Sequence, residues 1–155
     1  MGRYIDDILQ PGEKVLYSSN LHWVIYAPAM LAWIVSCALL VLSRTTLNEN
    51  LILLYLASAA VVALAALYWT LSAWFRRWIT ETDVTNLRVV HKTGFIKRET
   101  FEISLDKIES VDVTQGIWGR ILNFGNVKIL GVGDGHKLIK MIASPLEFRN
   151  SITAR

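Results

Sequence analysis

The sequence predicts an α+β membrane protein: a two-helix transmembrane hairpin, then a small antiparallel β-barrel or sandwich capped by a C-terminal helix. Three observations predict it. Two long charge-free runs fill the first half of the chain. From Trp78 onward the apolar residues alternate with period two, the mark of strands with one wet face. Near the end, Ser144-Pro145-Leu146-Glu147 reads as a helix start. The totals agree: 155 residues is the length of one modest domain, and 53% apolar content with a mean hydropathy of +0.37 is high for a soluble one.

The first run, WVIYAPAMLAWIVSCALLVL (23–42), has 20 residues, and the second, LILLYLASAAVVALAALYWTLSAWF (51–75), has 25. About 20 apolar residues span ~30 Å of hydrocarbon as a helix. Pro28 falls near the start of the first run, where a missing N–H costs least. Trp23, Trp74 and Trp78 sit at the run ends, the depth that tryptophan favours. A chain of this size could not cover two helices that are apolar all round, so a buried helix pair is rejected. Residues 43–50 are too short to return as anything but a tight connection, so the spans are antiparallel and both termini share one side. Arg44 is the only basic residue in that connection, whereas Arg3, Lys14, Arg76 and Arg77 flank the spans on the other side. The positive-inside rule then places both termini in the cytoplasm, with Trp23, Trp74, Arg76, Arg77 and Trp78 at the membrane interface.

Two processing signals are rejected. Ile34-Val35-Ser36-Cys37 loosely matches a lipoprotein cleavage box, but its leader is acidic and apolar residues continue past Cys37. Met1-Gly2 lacks the Ser or Thr that myristoylation expects at position 6. A single cysteine also excludes an internal disulfide and a cysteine-based zinc site.

In the second half, Thr100-Phe101-Glu102-Ile103-Ser104-Leu105 alternates strictly, and Ile108, Val111 and Val113 stand apolar among Glu109, Asp112 and Thr114. The predicted strands are 78–84, 87–92, 96–104, 107–114, 126–132 and 137–143, broken at Thr85-Asn86, Thr93-Gly94, Leu105-Asp106-Lys107 and Gly133-Asp134-Gly135. A helix over 145–155 would plug the open end of such a barrel. Residues 13–19, EKVLYSS, follow a Pro-Gly turn and are β-prone; they are expected to be the first strand of the same sheet, with the membrane hairpin inserted after it. Tyr4, Ile5, Ile8 and Leu9 predict a short amphipathic helix ahead of it. The expected organisation is therefore 1–22 (helix and first strand), 23–75 (hairpin) and 76–155 (cytoplasmic module).

YIDDILQPGEKVLYSSNLHW, the two spans, ITETDVTNLRVVHKTGFIKRETFEISLDKIESVDVTQGIWGRILNFGNVKI and SPLEFRNSI together resemble the bacterial pleckstrin-homology-like (PH-like) membrane proteins, the small two-span YdbS-like group. The most specific parts are T-N-x-R-x-x-x-x-T-G-x-I (85–96), L-x-K-I-x-S-V-D-V-x-Q (105–115) and G-R-x-L-x-F-G (119–125). Leu87 stands where relatives carry a second basic residue. The resemblance implies a PH-like barrel with a C-terminal helix, held at the inner membrane. It implies no particular activity, since such folds host many binding functions.

No catalytic constellation is legible, and no metal or cofactor is expected. His22, His91 and His136 have no ligand-type or triad spacing, and solvated or interfacial histidines are expected. Gly131-Val132-Gly133-Asp134-Gly135 lacks the helix and the Lys-Ser/Thr of a phosphate loop and reads as a hairpin turn. Glu99, Glu102, Asp106, Glu109 and Asp112 read as cross-strand charge partners of Lys97, Arg98 and Lys107.

Two binding features remain. Lys92, Lys97 and Arg98 flank the Thr93-Gly94 turn and form a candidate anionic-lipid hairpin, with ordinary solvated charge the favoured alternative. The loop QGIWGRILNFG (115–125) is too apolar for a solvated turn. Packing on the barrel is favoured for Ile117, Ile121 and Leu122, ahead of membrane contact or partner binding; Trp118 and Arg120 are the candidate partner or membrane residues.

The net charge of +3 and pI ≈ 9.1, without clustered basic residues, suit an anionic membrane better than nucleic acid. The leading expectation is a non-enzymatic inner-membrane protein presenting a binding module, a subunit or adaptor of a complex. Its partners would be membrane lipids and another membrane protein, or itself through the small residues of the second span (Ala57 to Ala66). No small-molecule substrate is evident. The alternatives are a transport or envelope-stress (antimicrobial-resistance) role acting through the spans, or an anionic-lipid module. Transport is disfavoured because the spans carry no acidic or basic side chain.

Overall fold

A computed structural model describes residues 5, 8–94, 99–133 and 135–153. The chain divides into two compact units, Met1–His22 with Arg77–Arg155, and Trp23–Arg76.

The second unit is the helical hairpin. A 3₁₀ turn, Trp23–Tyr26, leads into α1 (Ala27–Thr45), with Pro28 in its first turn where no intrahelical N–H is lost. α2 runs from Glu49 to Ile79. Small residues lie between the helices: Ala29, Ala32, Ser36 and Ser43 of α1, and Ala59, Ala66 and Ala73 of α2, are buried. The α2 alanines recur every seven residues, which keeps one narrow stripe facing α1. Ser36 Oγ donates to the Ala59 carbonyl (3.0 Å) and Trp33 Nε1 to Thr70 Oγ1 (3.2 Å). Ala59 and Ala66, expected to serve association with a partner, are thus used within the hairpin itself. Bulky residues such as Leu31, Ile34, Leu53, Val61 and Leu64 point outward.

α2 also corrects a strand boundary. The strand expected over 78–84 begins only at Glu81, because nothing in FRRWI breaks the helix before Thr80.

The other unit has two antiparallel sheets. The first, in order β1-β2-β3-β4, contains β1 (Val15–Ser19), β2 (Glu81–Thr85), β3 (Arg88–Thr93) and β4 (Glu99–Ser104). The second, in order β5-β6-β7, contains β5 (Ile108–Thr114), β6 (Phe124–Gly131) and β7 (His136–Ala143). β1 is far from β2 in sequence yet pairs with it, Ser19 opposite Thr82 and Tyr17 opposite Val84.

The sheets do not close into a barrel. At one corner the chain beyond β1 crosses to β7: the Ala143 N–H donates to Asn20 O (3.1 Å), the His22 N–H donates to Met141 O (2.8 Å), and Leu21 bridges Ile142. At the other corner a 3₁₀ turn, Leu105–Lys107, carries the chain from β4 to β5 without a ladder between them. Among the described residues the form is a two-sheet sandwich in which β4 and β5 each have a ladder partner on one side only.

α4 (Pro145–Thr153) enters the gap between the sheets. Pro145, Phe148 and Ile152 are its buried face, and Phe148 and Ile152 meet Val84, Val89, Leu105, Val127, Ile129, Ile139 and Ile142 in the core. Leu146 is exposed, one step off that face. The capping box expected from Ser144 and Glu147 is also corrected. Ser144 has φ 47°, its N–H donates to Asn123 O (3.0 Å), and its Oγ accepts from Asn123 Nδ2 (3.0 Å). Glu147 instead accepts from the Tyr17 hydroxyl (3.4 Å). The predicted N-terminal helix lies largely outside the described residues, but Ile5 and Ile8 are helical and Ile5 is fully buried.

Candidate membrane-facing and partner-binding surface

The QGIWGRILNFG segment is a short helix, α3 (Ile117–Ile121), held between β5 and β6. Gln115 is its brace: both protons of the side-chain amide are used, one to Gly119 O and one to Phe124 O, each at 3.1 Å. Gly119 is buried, and a Cβ there would stand 2.6 Å from Phe124 O. Asn123, with φ 57°, ends the helix in a left-handed conformation that asparagine tolerates well. Gly119→Ala is therefore expected to destabilise the module by about 1–3 kcal/mol through overpacking against backbone. Thermal unfolding in detergent checks it; an unchanged midpoint would mean the loop shifts without cost.

This brace displays apolar side chains instead of burying them. Ile117 is 80% exposed, Trp118 72% and Ile121 67%, with Arg120 exposed beside them. The expected packing of Ile117 and Ile121 on the barrel is overturned: α3 packs through Gly119, so its large residues point away. Leu122 is half-buried.

His22 lies behind α3. Its ring stacks on Phe124 at 5.3 Å between centroids and hydrogen-bonds the Leu122 carbonyl. Burial and the nearby Arg77 charge lower its pKa against that bond. A solvated or interfacial histidine is expected at position 22; the residue is buried, which rules out the solvated alternative.

The other sequence-predicted positions are scattered. Trp23, Trp74, Arg76, Arg77 and Trp78 are exposed. Lys92 is half-buried on β3, opposite Glu81 on one side and Thr100 on the other. Lys97 and Arg98 lie outside the described residues. His136 is exposed at the start of β7.

His91 corrects the expectation of a solvated histidine. It is 5% exposed, in the middle of the first sheet opposite Thr82, whose hydroxyl shares a 2.8 Å hydrogen bond with its Nδ1. Burial, with the positive charge of Lys137, lowers its pKa to about 4. The folded protein therefore resists a proton that the unfolded chain accepts near 6.5. Stability should be full above that pH and fall, by on the order of 2–3 kcal/mol, as pH drops from 6.5 toward 4. Unfolding midpoints measured across this range check it, and His91→Gln should flatten the slope.

One polar cluster escaped the sequence reading. The Glu13 carboxylate is buried and takes four bonds. Thr85 Oγ1 (2.7 Å) and Arg88 Nε (3.0 Å) reach Oε1; the Gln10 N–H (2.9 Å) and Arg88 Nη2 (3.0 Å) reach Oε2. Arg88 also donates to Ile8 O (2.8 Å) and to Glu102 (2.7 Å). Burial alone would raise the Glu13 pKa, but these bonds outweigh it and leave the carboxyl below its ordinary value. Asn86 Oδ1 accepts from the Lys14 N–H (2.8 Å). The T-N-x-R motif thus grips P-G-E-K. Both motifs were visible as letters, but nothing local marks them as partners 72 to 75 residues apart. With every group of the carboxylate and guanidinium engaged, this cluster is a structural staple.

A family model for the bacterial PH domain matches residues 26–153. The chain belongs to the bacterial PH domain family. No curated protein and no solved structure matches it. The matched range starts at the hairpin, so β1, His22 and Glu13 lie ahead of it although they complete the sheet and the staple of the bacterial PH domain.

Proposed function

We propose that this bacterial PH domain protein is a non-enzymatic subunit or adaptor of a membrane complex. Its hairpin spans the inner membrane, and its PH-like module faces the cytoplasm and binds a protein partner. The observation that carries the reading is the inverted hairpin surface: alanine and serine lie between the helices, while Leu31, Ile34, Val41, Leu53, Val61 and Leu64 are all more than 60% exposed. A patch of that size is untenable in water and natural in lipid. Both helices are long and apolar enough to cross a bilayer. Arg76 and Arg77 follow the second span and favour the cytoplasmic side. Among the described residues β4 and β5 each have a ladder partner on one side only, which supports partner binding, since an edge strand can accept a strand from another chain.

Single cysteines test the topology in a Cys37→Ser background. In cells with a permeabilised outer membrane, an impermeant maleimide should label Thr46→Cys in the inter-helix connection and spare Asp112→Cys on β5. The reverse pattern would put the module outside, and labelling of both would end the spanning model. A photo-crosslinker at Asp112 should yield a defined adduct with another protein; adducts with lipid or with the same chain alone would overturn the adaptor role.

A further inference from the structure

We propose that α3 is a membrane foot: Ile117, Trp118 and Ile121 enter the headgroup layer of the bilayer that holds the spans, with Arg120 beside lipid phosphate. This rests on the membrane reading above and adds a second point of attachment. Three observations support it.

The first is the display. Gln115 and Gly119 fix a five-residue helix so that its three large apolar residues project, an arrangement that disfavours collapse onto the module. The second is position. His22 and Arg77 are the module residues at which the chain leaves for the hairpin and returns from it. His22 is fastened to the base of α3, through Leu122 and Phe124, and Arg77 is close enough for its charge to act on His22. The foot and both chain crossings therefore lie together on the module. The third is chemistry. Tryptophan with flanking aliphatic residues and an arginine is the composition that settles at the headgroup boundary, where the indole bridges apolar and wet layers and the guanidinium meets phosphate. The occupant is the bilayer, because His22 and Arg77, where the chain passes to and from the apolar hairpin, lie together at the base of α3.

Spin labels on the full chain in nanodiscs containing anionic lipid test the proposal, again with Cys37→Ser. Labels go at Ile121→Cys on the foot, Asp112→Cys on the wet face of β5, and Leu64→Cys on the outer face of α2. Each position is already exposed, so labelling need not unfold the protein. Oxygen should relax the label at 121 several-fold more effectively than a water-soluble nickel chelate, with the opposite preference at 112. A water-like label at 121 with a lipid-buried label at 64 would overturn the foot and leave the spans intact. A water-like label at 64 would overturn the membrane reading itself. Dipolar broadening at 121 that disappears on dilution with unlabelled protein would show that a second copy covers the patch, and would also overturn the foot.

Discussion

Phe148→Ala is expected to destabilise the PH-like module by about 3–5 kcal/mol, the range for removing a buried aromatic side chain. Phe148 is fully buried, meets residues of both sheets, and stands edge-on to Tyr17 at 6.3 Å between centroids. It fills the space between two sheets that, among the described residues, have no ladder between β4 and β5, so the cavity cannot be closed by a small shift of one wall. Chemical denaturation in detergent, read by protease resistance of the module, measures the loss. Leu146→Ala is the matched control: it lies on the same helix but is exposed, and should change stability by no more than ~0.5 kcal/mol. Equal effects of the two would mean that α4 does not plug the sandwich as described.

Arg88→Ala should cost a similar amount, about 3–5 kcal/mol, because it leaves the Glu13 carboxylate buried without its charge partner. Glu13→Gln keeps the shape and the acceptor oxygen and should cost less, about 1–3 kcal/mol. The double substitution should cost less than the two single ones added together, since each removes the same interaction. The Glu102 arm of Arg88 is partly exposed, so Glu102→Gln should change stability by less than ~1 kcal/mol. An Arg88→Ala loss below ~1 kcal/mol would show that the staple does not hold the N-terminal segment.

The elements most legible in the sequence are those whose signal is local. Charge-free runs of 20 and 25 residues need no tertiary knowledge to read as helices, and the alternation in TFEISL gives β4 its half-buried face. The rest depends on distant parts of the chain. β3 is covered on both faces, with Val89, Val90 and His91 all buried, so a place near a strand end does not put His91 in water. The Ile8–Lys14 segment is likewise gripped by Thr85, Asn86 and Arg88, a pairing that no window of sequence contains. Barrel closure likewise depends on how a three-residue 3₁₀ turn aims two strands. At α3 the apolar residues stand out in the sequence, but apolar character alone does not say which way they face. The decisive residue is Gly119, whose missing side chain lets the helix pack by its backbone and send its large residues outward.

The separation of β1 from β2 along the chain has a consequence for biogenesis. About 60 residues, comprising the whole hairpin, must be made between them, which takes roughly 3–12 s at ~5–20 residues per second. During that interval the first strand has left the ribosome without its neighbour, and Glu13 has no Arg88 to meet. The sheet can be completed only after the hairpin has been synthesised. On the membrane reading proposed above, a chain whose hairpin failed to insert would carry an exposed apolar hairpin in the middle of an unfinished sheet, an open target for proteolysis. On that reading, completion of the module always follows synthesis of both spans.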